Sequence, residues 1–357
     1  MNLSLIELME LVRRLMECAT APYHEAGVRA VAEAIARENG LHHYQDRFGN
    51  LFVRTGNRGR PLVLAAHLDH PGFAVLERID ALGWAAEFLG GVGEKYFVPG
   101  VPLRLHPGNV AGRLGKQLDQ KRRIYRLETE MEVQEAMFAV WDLPSFECRG
   151  PLIYGRACDD LIGVAVALAT LIELQRQGVN EMVYAVLTRA EEVGFGGALA
   201  VAKHRLLPKD SLVVSLETSR ELPPVLMGQG VIVRTGDKAS VFDSRGTRYL
   251  TEISHFLAAE NPDFKFQRAL MPGGTCEATA YQEFGYASVA VCVALGNYHN
   301  CGAEQIAEEF VHGGDVESMV RLLVKAAVEF PSFLKWTNTL RHQFIEYSLQ
   351  TEPRLLI

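Results

Sequence analysis

The 357-residue sequence has no apolar run that could cross a membrane, because no window reaches the roughly 18 consecutive apolar residues that a span requires. It also has no excess of basic charge. Its 36 lysines and arginines stand against 43 acidic residues, a net charge of −7, which argues against a nucleic-acid-binding face. The longest basic run, Lys121-Arg122-Arg123, is typical of a solvated loop. We therefore expect neither membrane nor nucleic acid among its partners.

Paired cysteine motifs are missing as well. The six cysteines are scattered and never form a CxxC pair, so neither a cysteine-rich zinc site nor a disulfide framework is indicated. The N-terminal segment carries Glu7 and Glu10 where a signal peptide would need an uncharged core. We expect a cytoplasmic protein with reduced thiols. Ser4 and Glu7 instead form a candidate capping box at the start of a helix.

The rest of the pattern predicts an α/β protein with an insertion. Apolar spacing predicts two helices within residues 3–39, and the continuous apolar run at 61–67 predicts a strand that is buried on both faces. Frequent glycine and proline between 73 and 154 predict a small β-barrel-like domain. Strands and helices alternate again afterwards. We predict an α/β domain from residues 1–72 and 155–357, interrupted by a β-rich domain at 73–154.

Histidines and carboxylates collect beside the predicted strand ends, where the sites of α/β sheets usually lie. Each group alone has an ordinary explanation, such as a helix N-cap for the paired aspartates or a solvated surface for the paired glutamates. Together they provide the mixed nitrogen and oxygen donors that suit zinc, cobalt or manganese. The five segments are His67-Leu68-Asp69-His70, Cys158-Asp159-Asp160, Glu191-Glu192, Leu216-Glu217-Thr218 and Tyr298-His299.

These motifs resemble the co-catalytic metallo-aminopeptidases, and among them the tetrahedral, dodecameric branch that includes glutamyl and deblocking aminopeptidases. The resemblance rests on HLDHPG, CDD followed by LIG, AEEVGFGGA, LET and the late YH, in this order along the whole chain. It implies a central mixed sheet flanked by helices, as in zinc peptidases, so that residues 1–72 and 155–357 would form the catalytic domain. The early inserted barrel at 73–154 would then be a dimerisation or assembly domain. It further implies hydrolysis of the N-terminal residue from peptides, and a homo-oligomer, namely a dodecamer.

The resemblance also implies a role for each site residue. His67 and Glu217 would bind one metal ion, Glu192 and His299 a second, and Asp159 would bridge the two. The two divalent ions, zinc above cobalt or manganese, would activate a water. Among the catalytic residues, Glu191 would be the general base and Asp69 would support His67. Asp160 would hold a neighbouring ligand, His67 or His299, and the peptide bond between Asp159 and Asp160 would be cis.

The sequence departs from the branch at three places. Glu217 stands where aspartate is usual, Cys276 and Glu277 replace the end of a GGTD motif, and the acid expected four residues after His299 is found only at Glu304. The first two changes leave the preferred N-terminal residue of the substrate open. A deacylase or amidohydrolase with the same metals, or a non-catalytic relative, stays an alternative. A glycosidase does not fit these donors, because no clear carboxylate pair of that kind is present.

Overall fold

The computed structural model of the chain describes residues 3–130 and 137–356. The predicted segments at 1–72, 73–154 and 155–357 include a few residues outside these ranges. In the described ranges the α-helices are α1 (Leu5–Met16), α2 (Ala26–Glu38), α3 (Cys158–Arg176), α4 (Gly196–Lys203), α5 (Ser244–Glu260), α6 (Glu277–Glu283), α7 (Gly313–Glu329), α8 (Phe333–Thr337) and α9 (Thr339–Leu355). The strands are β1 (His42–Gln45), β2 (Leu51–Thr55), β3 (Arg58–His67), β4 (Gly72–Asp80), β5 (Gly83–Leu89), β6 (Pro102–His106), β7 (Val110–Asp119), β8 (Ile124–Thr129), β9 (Phe138–Trp141), β10 (Glu147–Arg149), β11 (Leu152–Gly155), β12 (Glu181–Thr188), β13 (Leu212–Arg220), β14 (Val231–Gly236), β15 (Phe266–Leu270), β16 (Ala287–Gly296) and β17 (Glu309–His312).

A mixed sheet forms the centre of the larger part of the molecule. Its strand order is β1-β2-β12-β3-β13-β16-β17-β11-β10, with β14 and β15 joined to β16 on a side path. The neighbours β12, β3, β13 and β16 are parallel to one another. Their runs of β-branched and other apolar residues are buried on both faces, as expected for a sheet covered by helices. The carboxyl ends of these four strands therefore meet at one edge.

A closed barrel forms the second part, in the order β4-β5-β8-β7-β6-β9. Aromatic rings fill its interior: the Phe73 ring lies edge-on to Trp141 at 5.1 Å and to Phe88 at 4.9 Å, and Phe97 stacks on Tyr125 at 4.8 Å. The predicted fold class, a mixed sheet flanked by helices with an inserted barrel, is confirmed. The short strands β10 and β11 lie in the segment 73–154 but pair in the large sheet, through β17.

The helices are set by clear local signals. Ser4 and Glu7 form the expected capping box at the start of α1, in which the Ser4 hydroxyl accepts from the Glu7 amide. Helix α3 is apolar all round and buried from Cys158 to Leu174, because it packs on the sheet under α1 and α7. All six cysteines are free thiols. Within the described ranges, no helix combines the length and the apolar character that a membrane crossing needs.

Candidate functional site

The site lies at the edge where the parallel strands end. His67 is the last residue of β3 and sits beside Thr188, the last residue of β12, so Glu191 and Glu192 follow in the next loop. Glu217 lies inside β13, and His299 follows β16 in a single 3-10 turn. Asp159 comes from the first turn of α3. Each residue is thus delivered by a separate element to the same place.

Among the described residues, the side chains come together in three groups whose potential ligand atoms lie within 4.8 Å of one another. Two groups share the Asp159 carboxylate: His67, Asp159 and Glu217 form the first, and Asp159, Glu192 and His299 form the second. The third group, His67, Glu191 and Glu192, overlaps both of them. The His67 Nε2 atom is 3.4 Å from Asp159 Oδ1, and His299 Nε2 is 3.6 Å from Asp159 Oδ2. Asp159 therefore faces one group with each of its two oxygens.

Several of these atoms face one another without forming hydrogen bonds. Asp159 Oδ1 and Glu192 Oε1 are buried, and among the described residues neither has a hydrogen-bond partner of good geometry. Imidazole nitrogens nevertheless stand close by, His67 Nε2 at 3.4 Å from Asp159 Oδ1 and His299 Nε2 at 3.2 Å from Glu192 Oε1. The first pair belongs to one ligand group and the second pair to the other. Within each group, nitrogen and oxygen donors that face one another in this way are arranged like ligands around a cation.

The electrostatics of the site are dominated by crowded, buried carboxylates. Burial raises the pKa of Glu191 well above its usual value, and the neighbouring Glu192 and Glu217 add to the rise. Burial alone would lower the pKa of His67, but Glu191 and Asp159 outweigh it and raise that pKa well above its usual value. Burial opposes ionisation of Asp159 too, yet its contacts with His299 and His67 lower its pKa. The pocket is therefore suited to positive charge.

Asp69 holds the loop that carries the two glutamates. Its Oδ1 and Oδ2 atoms accept hydrogen bonds from the backbone amides of Glu191 at 2.9 Å and Glu192 at 3.1 Å. The His67 ring contacts the Asp69 backbone instead, since Nδ1 lies 3.0 Å from the carbonyl oxygen and 3.7 Å from the nearer carboxylate oxygen. Asp69 thus positions His67 through its main chain and the glutamates through its side chain.

Asp160 supports the site through backbone groups. Its carboxylate accepts from the His67 amide at 3.3 Å and from the Gly163 amide at 3.2 Å. It therefore contacts His67, one of the two neighbouring ligands that the resemblance names, through the main chain; within the described ranges its carboxylate has no hydrogen bond with the imidazole of His67 or His299. The peptide bond between Asp159 and Asp160 is cis, as the resemblance implies.

Glu309 is a functional residue that the sequence did not reveal. Its buried carboxylate accepts from the His299 amide at 2.8 Å and from the Asp159 amide at 3.0 Å, so it ties two of the candidate ligands together. Glu304, the acid found five residues after His299 in the sequence, is exposed. The contact comes from β17, which pairs with the end of β16 and brings Glu309 beside His299. Spacing within the motif could not show this.

Glu25 was missed as well. It is fully buried at the start of α2, and its Oε1 atom accepts from the Ala190 amide at 3.0 Å. Its Oε2 atom pairs with Arg189 Nε at 2.7 Å. Glu25 and Arg189 together fix the backbone immediately before Glu191. No local pattern in the sequence marks Glu25, because its partners lie about 165 positions away.

A third supporting group connects His70 to the main chain of Asp159. The His70 Nδ1 atom lies 2.6 Å from the Asp159 carbonyl oxygen, and Nε2 lies 2.9 Å from Asn300 Oδ1. The side-chain amide of Asn300 in turn donates, through Nδ2, to the Arg156 carbonyl oxygen at 2.8 Å. The main chain on both sides of Asp159 is therefore held from the turn that contains His299.

The wall of the pocket beyond the carboxylates carries a buried guanidinium. Arg234 is 3% exposed, donates to Ser219 Oγ at 3.3 Å, and has an Nε atom without a hydrogen-bond partner in the described part of the chain. Tyr298 stacks on the His299 ring at 3.8 Å and lines the same cavity. Cys276 also lines it, whereas Glu277 points away and bonds Thr188 Oγ1 at 2.5 Å.

Comparison with known proteins agrees with this fold. A family model described as M42 glutamyl aminopeptidase matches residues 122–322. A relative from Acetivibrio thermocellus, whose name includes the word aminopeptidase, is 23% identical over 301 residues, which cover 79% of this chain and 86% of the relative.

Two solved structures show the same fold. The TET aminopeptidase of a marine-sediment Thaumarchaeota archaeon has a TM-score of 0.77 and 21% identity, covering 93% of this chain and 99% of that one. The TET1 peptidase of Pyrococcus horikoshii, which can assemble into a tetrahedron or a large octahedral shell, has a TM-score of 0.74 and 20% identity, covering 90% of this chain and 99% of that one. Since the family model spans more than half of the sequence, the chain belongs to the M42 glutamyl aminopeptidase family.

Proposed function

We propose that the chain is a two-metal aminopeptidase that removes the N-terminal residue from peptides. The observation that carries this proposal is the placement of Asp159 in both ligand groups, one with His67 and Glu217 and the other with Glu192 and His299. A single carboxylate between two such groups is suited to bridge two cations. Family membership supports the aminopeptidase activity itself.

The residues present fit a pair of divalent ions. Two imidazoles and three carboxylates are the donor set that zinc, cobalt and manganese accept in proteins. The buried oxygens of Asp159 and Glu192 that have no hydrogen-bond partner among the described residues would gain one in a bound cation. When bound, two such ions polarise the scissile carbonyl and lower the pKa of a water. Zinc is the ion that we propose first.

Glu191 is placed to move the proton in this reaction. Its Oε2 atom lies 3.9 Å from His67 Nε2, so its carboxylate borders the ligand groups. The Asp69 carboxylate fixes the backbone amide of Glu191, and a carboxylate held beside the ligand groups can accept a proton and return it. We propose that Glu191 takes a proton from the attacking water and delivers it to the leaving amine.

We further propose that the substrate pocket favours an acidic first residue. Arg234 is a buried cation in the cavity wall with a donor that remains unused within the described ranges, and Arg220 lies above Tyr298 at 5.0 Å from its ring. A substrate carboxylate would satisfy the free guanidinium donor of Arg234. The name of the matching family, glutamyl aminopeptidase, points in the same direction. The Glu217 carboxylate is also near enough to interact with the positive charge of Arg234.

The barrel offers a surface for assembly. Leu76, Ile79 and Leu82 on or next to β4 are 44–45% exposed, and Val98 is 55% exposed. Such a group of exposed apolar residues on one small domain is typical of a subunit interface. We propose that the segment 73–154 mediates homo-oligomerisation, a dodecamer by resemblance, and that the protein acts in the cytoplasm. Light scattering on a Leu76→Glu, Ile79→Glu variant should give smaller particles, and an unchanged mass would exclude this surface.

A panel of aminoacyl 4-nitroanilides tests the activity. Protein reconstituted with zinc, cobalt or manganese should release nitroaniline, and a Glu191→Gln variant with the same metal content should not. N-acetylated amino acids assayed in parallel address the deacylase alternative. If the protein hydrolyses the N-acetylated amino acids but none of the nitroanilides, the deacylase alternative replaces the aminopeptidase proposal. If it binds metal but hydrolyses neither class, it is a non-catalytic relative.

A further inference from the structure

A second cavity lies away from the proposed metal site, between the barrel and the large sheet. It has a volume of about 460 Å³ and opens beside the end of α1, the end of β6 and the connection that follows β9. Charged and polar side chains dominate its lining. Those that matter here are Glu17, Arg104, His106, Asp142 and Arg156.

Arg156 is the unusual member of this lining. Its side chain is nearly enclosed, with the residue only 8% exposed, yet its one hydrogen bond in the described ranges is a long contact of 3.4 Å from Nη1 to the Leu143 carbonyl oxygen. It forms no ion pair with any described residue. A nearly enclosed charge with so few contacts is costly, and an anion bound in the cavity would lower that cost.

The carboxylates of the cavity form their ion pairs with other arginines, and Asp142 acts on Arg156 only through its nearby charge. Asp142 pairs with Arg104 at 2.9 Å, and Glu17 pairs with Arg13 at 2.6 Å. These pairs leave Arg156 as the cation of the lining that lacks a direct partner among the described residues. Burial lowers the pKa of Arg156 to about 10, so the group still carries its charge at neutral pH.

His106 adds a second unused polar atom. Its Nε2 atom is buried and, within residues 3–130 and 137–356, has no hydrogen-bond partner. Burial and the nearby Arg156 and Arg104 lower the pKa of His106 to about 4, so the ring is neutral at pH 7 and can present one N–H donor. Stacking on Phe138 at 5.0 Å keeps this ring in place.

We propose that this cavity binds a small oxyanion, a carboxylate or inorganic phosphate, through the Arg156 guanidinium and His106 Nε2. A planar guanidinium matches the geometry of either ligand, and both ligands are small relative to the cavity. The Arg156 carbonyl oxygen accepts from Asn300, which contacts His70, and His70 contacts the Asp159 backbone. The proposed anion site is thus adjacent to the main chain of the candidate bridging ligand, although it is independent of the proposed reaction.

Isothermal titration calorimetry on the full, metal-loaded chain tests the proposal. The probes are sodium acetate and inorganic phosphate, at an ionic strength held constant with chloride. Leucine hydroxamate should occupy the metal site throughout, so that the probes cannot bind there. Binding of acetate alone identifies a carboxylate site, and binding of phosphate alone identifies a phosphate site. The matched control is Arg113→Gln, because Arg113 also makes a single hydrogen bond of 3.4 Å but is exposed.

We expect one saturable site in the wild-type chain and in the Arg113→Gln control. Arg156→Gln should weaken the binding by about tenfold or more, since it removes a charge-assisted contact. His106→Gln should weaken it less. The proposal is wrong if neither probe binds the wild-type chain, or if Arg156→Gln binds like the wild type. Should Arg156→Gln fail to fold, as judged by circular dichroism, unchanged affinity in His106→Gln would overturn the proposal.

Discussion

The contact between Glu25 and Arg189 gives the sharpest stability prediction for the region that carries the catalytic loop. Glu25→Gln keeps the size of the side chain but removes the negative charge that pairs with Arg189 Nε at 2.7 Å. The glutamine side chain can also place its amide N–H against the N–H of Arg189 Nε, so that two donors face each other. Removing one partner of a buried pair costs about 3–5 kcal/mol.

The Arg189 side chain is 27% exposed and also donates to the carbonyl oxygens of Phe48 and Tyr23. It therefore keeps other partners after the substitution, and we expect a loss of about 2–3 kcal/mol in the free energy of unfolding. The Ala190 amide loses its charged acceptor, so the loop with Glu191 should shift. A misplacement of about 1 Å lowers turnover by about 100-fold.

Urea denaturation followed by tryptophan fluorescence measures the stability, and steady-state turnover of an aminoacyl nitroanilide measures the effect on the loop. Glu10→Gln is the matched control, because Glu10 pairs with Arg13 at 2.6 Å on the solvent-exposed face of α1. An exposed pair contributes about 0–1 kcal/mol. If Glu25→Gln lost no more stability than Glu10→Gln and retained full turnover, the positioning role of Glu25 would be refuted.

Three further predictions concern the site itself. Glu191→Gln should lower kcat by about 10²–10⁴-fold while atomic absorption shows unchanged metal content; retention of most activity would place the base elsewhere. Arg234→Met should lower kcat/KM for a glutamyl nitroanilide by at least about tenfold more than for a leucyl one, because a charged contact is lost; equal losses would contradict an acidic preference. Removing the metals with a chelator should lower the melting temperature, since ions at about 100 times their Kd stabilise the fold by about 2.7 kcal/mol. An unchanged melting temperature would show that the ions do not bind the folded state more tightly than the unfolded state.

Much of this arrangement could be predicted from local sequence. His67, the Glu191-Glu192 pair and His299 each follow a strand whose apolar run is easy to recognise, and parallel strands necessarily end together. The barrel was also visible, because its regular glycines and prolines exclude long helices. In both cases a short-range pattern determines the result.

The remaining features depend on contacts that are remote in sequence. Glu309 supports His299 only because β17 pairs with the end of β16, and the weak pattern of a four-residue strand does not reveal its partner. The same applies to β10, three exposed residues that join the large sheet rather than the barrel. Asp69 was expected beside the His67 ring, yet its carboxylate faces the amides of another loop. Side-chain direction at such positions is set by tertiary packing.

The central claim, that Asp159 bridges two metal ions, is tested most directly by anomalous diffraction at the zinc absorption edge. Crystals grown with zinc should show two anomalous peaks per chain, one beside His67 and Glu217 and one beside Glu192 and His299, with Asp159 between them. Two bound ions in a site of this type lie about 3.5–4 Å apart. A single peak, or two peaks of which neither contacts Asp159, would contradict the two-metal account.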